Sequence, residues 1–171
     1  GSKLPFEKNL EQSFKIYELT QKYNASLEVE LGYVGYNDSS KNKMTSPEEV
    51  KLLTQQLPVT ALAVSVGNTH LQNENSAIID YDLLTKINNV TNTPLVIHGG
   101  SGINPLDRMK MSKNYGVRKF NIGTEFRKMF GAVLREILFK NDHIFDRFEI
   151  MKELNFALSA KAKKILKDTK L

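Results

Sequence analysis

Leu95-Val-Ile-His98-Gly-Gly-Ser-Gly102 is the stretch on which the reading of this chain turns. Three apolar residues between Pro94 and a histidine have the composition of a short strand covered on both faces, as in a parallel sheet. A histidine in the last position aims a ring nitrogen at whatever cleft lies beyond the strand's carboxyl end. The glycines that follow let backbone N–H groups approach an anion without interference from Cβ. Asn104-Pro105 then opens a helix. Taken alone, the stretch is equally a buried histidine before an ordinary turn. Its surroundings decide.

Upstream, Phe6 to about Tyr23 reads as a helix, with Leu10, Phe14, Tyr17 and Leu19 near the 3.6-residue period and Asn24 as its C-terminal cap. Ala25 to Leu31 is a strand with Leu27, Val29 and Leu31 on one face and Glu28 and Glu30 on the other. On a half-exposed sheet these carboxylates would be solvated; pointing into a barrel they need a cation or a basic partner. Gly32 to Thr45 is polar and long for a connection, and is expected to be a mobile segment over a site. Ser46, Pro47 and Glu49 form a capping box for a helix to about Gln56. Ala61 to Val66 is a second buried strand, and Gly67-Asn-Thr-His70 again sets a histidine just past a strand end. Asp80 caps a helix through about Asn88. Beyond the central strand, a helix runs to about Tyr115 and stops at Gly116. Arg118 to Ile122 is a fourth strand ending in Gly123-Thr124, followed by helix through Phe139. Asp142 to Arg147 is a break, and an amphipathic helix covers Phe148 to about Lys167.

Strand and helix alternate throughout, which implies a parallel sheet with right-handed crossovers. Two topologies fit: an open doubly wound sheet, or part of a (β/α)8 barrel. In both, ligands bind at the carboxyl ends of the strands, where His70, His98, the Gly99–Gly102 turn and Asn121 to Thr124 all fall.

The 171 residues, 40% hydrophobic and 25% charged, suit one soluble domain over 1–171. No apolar run reaches the ~20 residues of a membrane helix, and the start lacks the apolar core of a signal peptide. With no cysteine, a disulfide framework and a thiolate zinc site are excluded, and a cytoplasmic location is expected. Any metal must use histidine, carboxylate or backbone oxygen. The net charge of +5 is concentrated near the end, where Lys161, Lys163, Lys164, Lys167 and Lys170 are expected on a solvated helix face. No interleaving of basic and aromatic residues points to nucleic acid.

Seven segments carry a likeness that runs nearly end to end: Leu4-Pro-Phe-Glu-Lys-Asn, Glu28-Val-Glu-Leu-Gly, Thr45-Ser-Pro-Glu-Glu, Leu62-Ala-Val, Gly67-Asn-Thr-His, Pro94-Leu-Val-Ile-His-Gly-Gly-Ser-Gly and Phe120-Asn-Ile-Gly-Thr-Glu-Phe-Arg. In this order they resemble the class II, zinc-dependent ketose-bisphosphate aldolases that act on fructose and tagatose bisphosphates. The resemblance implies a (β/α)8 TIM barrel of which this chain is about the last four βα units plus C-terminal helices. An aspartate precedes Gly-Ser-x-Leu-Pro-Phe-Glu in that family, so Gly1-Ser2 reads as native sequence. The first four strands, with the family's aspartate–histidine pair for proton donation and third zinc ligation, are not among these residues. Four strands leave two open edges, so this half is not expected to be stable alone.

The resemblance also implies roles. His70 and His98 would be two protein ligands of a catalytic Zn2+. Glu28 and Glu30 match the family's strand acids near the metal, with the choice between them open. Gly99, Gly100, Ser101, Asn121, Ile122, Gly123 and Thr124 would hold a substrate phosphate. Two ligands on one zinc ion, with bonds of about 2.0–2.1 Å, require the ring nitrogens of His70 and His98 within about 5 Å. His143 lies outside every motif and is expected at the surface. Two positions depart from the family pattern: Leu71 replaces a glycine, and Gly35-Tyr36-Asn37-Asp38 is shorter than the family's Gly-Gly-x-Glu-Asp loop. Either Asp38 takes the place of the catalytic glutamate or that base is lost. The implied activity is aldol cleavage of a ketose 1,6-bisphosphate by a dimer or tetramer; the alternative is a non-catalytic relative that keeps the sugar-phosphate site.

Overall fold

Four short parallel strands, β1 (Glu28–Leu31), β2 (Ala61–Val64), β3 (Leu95–Ile97) and β4 (Val117–Phe120), pair in sequence order. That order separates the two candidate topologies. A doubly wound sheet reverses direction at a switch point, whereas a barrel lays each strand beside the one before it. The chain is therefore a fragment of a (β/α)8 barrel. The computed structural model describes residues 1–35, 43–70 and 77–169.

The helices are α1 (Phe6–Lys22), α2 (Pro47–Gln56), α3 (Tyr81–Val90), α4 (Pro105–Asn114), α5 (Thr124–Lys140) and α6 (Arg147–Thr169). Side chains cap the starts of α2, α3 and α4. Asp80 accepts the Leu83 N–H at 2.8 Å, and Asn104 accepts the Asp107 N–H at 2.9 Å. Ser46 accepts the Glu49 N–H at 3.2 Å, but the Glu49 side chain does not complete the capping box. The Glu49 carboxylate instead lies 3.6 Å from Lys43, and Ser46 donates to Glu48 at 2.7 Å. Asn24 ends α1 in the left-handed region, φ 49°, which asparagine tolerates.

β2 stops at Val64, two residues before the end of its expected run, Ala61 to Val66. The chain leaves the ladder where side chains take over the backbone: the Val66 N–H goes to Asn68 rather than to a neighbouring strand. The outer face of the sheet carries Val29, Leu31, Leu62, Val64, Leu95, Ile97 and Val117, covered by Leu53, Leu84, Ile87 and Met111 from the helices. Each fully buried leucine or isoleucine contributes about 1.5–3 kcal/mol. Ala63 and Val96, at alternate positions, are buried on the other face.

Two expectations are corrected. Leu19 is half exposed and not on the packed face of α1, where Leu10, Phe14 and Tyr17 lie beside buried Asn9 and Ser13. The Asn9 amide donates to the Glu30 carbonyl at 2.9 Å, and this polar anchor sets the rotation of the helix. Lys161 leaves the solvated row of lysines: it turns inward to Glu125 at 2.8 Å, while Lys163, Lys164 and Lys167 stay exposed and Lys170 lies outside the described residues.

Thr45 ties β1 to β2 where both end. Its buried hydroxyl donates to the Leu31 carbonyl at 2.6 Å and accepts the Ser65 N–H at 2.8 Å. Valine fills the same space and satisfies neither group. Thr45→Val is expected to lower the unfolding free energy by about 2–3 kcal/mol, read from the urea midpoint at unchanged slope. A loss under about 0.5 kcal/mol, the size of an ordinary surface change, contradicts this role.

Candidate active site

Convergence at the carboxyl ends begins with Gly99. It sits at φ +65°, and a Cβ there would meet the Thr69 carbonyl oxygen at 2.2 Å. The loop after β3 thus lies directly against the loop after β2. Asn68 reinforces the junction, donating from its side-chain amide to the His98 carbonyl at 2.9 Å while its Oδ1 accepts the Val66 N–H at 2.8 Å. The His70 N–H in turn donates to the Gly35 carbonyl at 2.9 Å. These backbone contacts set the His70 and His98 rings side by side, 6.0 Å between centroids and tilted by 39°.

The inward acids of β1 meet the same ring. His98 Nε2 lies 3.1 Å from Glu28 and Nδ1 lies 3.5 Å from Glu30. Lys119, from β4, reaches the other oxygen of Glu28 at 2.7 Å. The carboxylates have the basic partners that an inward face demands. The Glu30 carboxylate is the main cause holding the His98 imidazole above its usual range; burial opposes it and Glu28 adds to it. Burial pushes both acids up, but Lys119 and His98 outweigh it at Glu28, and His98 and the Ser2 hydroxyl outweigh it at Glu30, so both end below the usual carboxylate range. His70 is shifted down, chiefly by burial and then by the charge of His98. The two neighbouring imidazoles are thus shifted in opposite directions, His98 upward and His70 downward.

Beside His70 opens a pocket of about 700 Å³ lined by Gly99, Ser101, Phe120, Asn121 to Thr124 and Arg127. Gly100 joins the β3 and β4 loops, its N–H donating to the Asn121 carbonyl at 3.0 Å. The buried Ser101 hydroxyl accepts the N–H of Glu125 at 3.2 Å, in the first turn of α5. A helix N-terminus beside glycine-rich backbone suits an anion. Of the seven residues expected at a phosphate, six line the pocket, and Gly100 is bonded to one of them, Asn121.

Sequence reasoning missed three side chains. Arg127, one turn into α5, brings a guanidinium to the pocket rim, 3.4 Å from the Thr124 hydroxyl; its place in Thr-Glu-Phe-Arg was the available signal. Asn68 sits inside the Gly67-Asn-Thr-His motif. Lys119 had no signal, since its partner lies 91 residues away. His143 is at the surface beside Asp142, as expected. Asp38 and Leu71 lie outside the described residues, as does the centre of the 32–45 loop. The ends of that loop are joined by paired hydrogen bonds between Tyr33 and Lys43, 2.7 and 3.0 Å.

Among the described residues, no three histidine or acidic side chains are arranged to hold a metal ion. The donors present fit zinc in kind, two imidazoles side by side with carboxylates next to one of them; both ring nitrogens of His98 face a carboxylate, so binding a metal there requires Glu28 or Glu30 to give up its nitrogen. The donors are one ligand short of a complete site.

The family profile described as Fructose-bisphosphate aldolase class-II matches residues 1–170. The chain is 34% identical over 163 residues to a fructose-bisphosphate aldolase of Mycoplasma genitalium, covering 90% of this chain and 56% of that protein. It is 38% identical over 140 residues to the one from Mycoplasma pneumoniae, covering 80% and 48%. It therefore spans about half the length of these relatives. Among solved structures it resembles a putative fructose-1,6-biphosphate aldolase from Coccidioides immitis, with a TM-score of 0.84 at 22% identity over 99% of this chain and 60% of that one. The fructose-bisphosphate aldolase of Campylobacter jejuni gives a TM-score of 0.81 at 23% identity, over 99% and 58%. The YdjI aldolase of Escherichia coli K12 gives 0.78 at 22%, over 99% and 57%. Sequence and fold agree: the chain belongs to the class II fructose-bisphosphate aldolase family.

Proposed function

We propose that the full-length protein carrying this chain is a zinc-dependent class II aldolase, reversibly cleaving fructose 1,6-bisphosphate or its C4 epimer tagatose 1,6-bisphosphate to dihydroxyacetone phosphate and glyceraldehyde 3-phosphate. One observation supports it above the rest: the His70 imidazole, with its ring centroid 6.0 Å from that of His98, lines a pocket whose walls include glycine backbone, hydroxyls and a guanidinium. His70 and His98 would hold the zinc, with one of Glu28 and Glu30 yielding a nitrogen of His98 and the other orienting the ring. Bound zinc supplies Lewis-acid polarisation of the ketone. Ser101, Thr124, the Gly99–Gly100 backbone and Arg127 hold a phosphate, which anchors the sugar while its far end reacts. Asp38 or Glu30 takes the proton. The same reading makes the protein a cytoplasmic homo-oligomer of sugar-phosphate metabolism.

The test is cleavage of both bisphosphates by the full-length protein with added zinc and a chelator control. Chelator-sensitive turnover is expected on at least one. Sugar-phosphate binding with no turnover would identify the non-catalytic relative instead. The 171-residue chain assayed by itself is expected to stay at background. It has three histidines, and the third, His143, is 94% exposed beside Asp142 on the α5–α6 connection. Lacking a third imidazole and its acid–base partner removes about 10²–10⁴-fold of proton-transfer catalysis along with several kcal/mol of electrostatic stabilisation.

A further inference from the structure

Behind the phosphate pocket lies a buried ionic cluster that no role above uses. Arg108, on α4, is 2% exposed, and its Nη1 lies 3.0 Å from Glu125 Oε1. The other oxygen of Glu125 lies 2.8 Å from Lys161, on α6. The Arg108–Glu125 contact is an ion pair without hydrogen-bond alignment; among the described residues, Arg108 Nε and Nη1 and Glu125 Oε1 find no hydrogen-bond partner. Burying such a group is costly, and a hydrophobic trio would pack as well. The charge earns no stability by itself, so its geometry calls for another account.

Glu125 supplies it. Its backbone N–H donates to the Ser101 hydroxyl, and its residue is the second of α5, whose first, Thr124, lines the pocket. The side chain of the same residue is held from two further helices. A carboxylate in that first turn would repel a bound phosphate unless neutralised. Arg108 and Lys161 neutralise it while fixing the turn against Ser101. The end of α6 is itself anchored to α4, with Ser112 donating to the Thr169 carbonyl at 2.6 Å.

We propose that Glu125, gripped by Arg108 and Lys161, is a positioning residue that holds the α5 N-terminus in register with Ser101, so that the last helix sets the affinity of the phosphate pocket without touching the ligand. This rests on the proposed aldolase reading of that pocket.

The test measures inorganic phosphate binding and cleavage kinetics in the full-length protein and three variants. Lys161→Met is expected to weaken phosphate binding about tenfold and raise KM similarly, with kcat within about twofold. Lys161→Arg, which keeps the charge and reaches the same carboxylate, restores binding. Glu125→Gln is the discriminating arm. It makes the cluster more positive, so a purely electrostatic role tightens phosphate binding, whereas positioning weakens it. Weakening in both Lys161→Met and Glu125→Gln, with rescue by arginine, supports the inference. Tightening in Glu125→Gln overturns it, as does unchanged binding in Lys161→Met, which stands even if the glutamine variant fails to fold. If the unmodified protein binds no phosphate, the pocket reading and this inference fall together; phosphate bound equally well by the unmodified protein and Lys161→Met overturns the inference alone.

Discussion

Full-length protein carrying His98→Ala is expected to lose its zinc and at least about 10³-fold in kcat/KM on its bisphosphate substrate. Two effects combine. The substitution takes away one of the two imidazoles that stand at the strand ends. It also removes the group that faces Glu28 at 3.1 Å and Glu30 at 3.5 Å, leaving two half-buried carboxylates with Lys119 on Glu28 as the remaining close cation among the described residues. The backbone role of His98 survives, because Asn68 grips its carbonyl and not its ring. The fold is therefore retained while the chemistry fails. Zinc per chain by elemental analysis, circular dichroism and the cleavage assay together check this. A variant that keeps a full equivalent of zinc and turns over within tenfold of the parent refutes the assigned ligand.

Gly99→Ala is expected to act through the backbone and to cost about 3 kcal/mol or more in stability. The left-handed conformation itself penalises any L side chain by about 1–2 kcal/mol. The added methyl would meet the Thr69 carbonyl oxygen at 2.2 Å, and that obstacle is main chain, unable to swing aside as a flexible side chain would. Relief requires the β2 and β3 loops to separate, which moves His70 from His98 and opens the floor of the phosphate pocket. Overpacking of this kind adds about 1–3 kcal/mol. Urea denaturation reads the loss, and phosphate affinity should fall alongside it. A stable variant with parental phosphate binding refutes the close approach of the two loops.

The sequence was most legible where a local rule decides the outcome, although Glu49 did not complete the capping box it suggests. Asp80, Asn104 and Ser46 cap the helices they precede, since capping involves only three or four consecutive residues. The alternation of β1 gave the inward face of Glu28 and Glu30. Topology was ambiguous from periodicity alone, since doubly wound and barrel sheets share the same βα rhythm; strand order resolved it. What stayed hidden depends on distance along the chain. Lys119 and Lys161 look like solvated lysines until the fold brings Glu28 and Glu125 to them. Leu19 was misplaced because α1 is rotated by a polar bond from Asn9, which a hydrophobic period cannot register.

The sequential order of the strands has a kinetic consequence. Each of these four strands pairs with its neighbour in the chain, so this part of the sheet can grow one βα unit at a time. The contacts among the charged groups follow another timetable. His98 reaches Glu28 across 70 residues and Lys119 reaches it across 91, so these form only after every intervening unit has docked. The interior charges thus report on completion: an intermediate that has lost or not yet gained β4 still has a hydrophobic sheet, but leaves Glu28 without its lysine. Folding followed by hydrogen exchange should show β2 and β3 protected before the Glu28 environment becomes native.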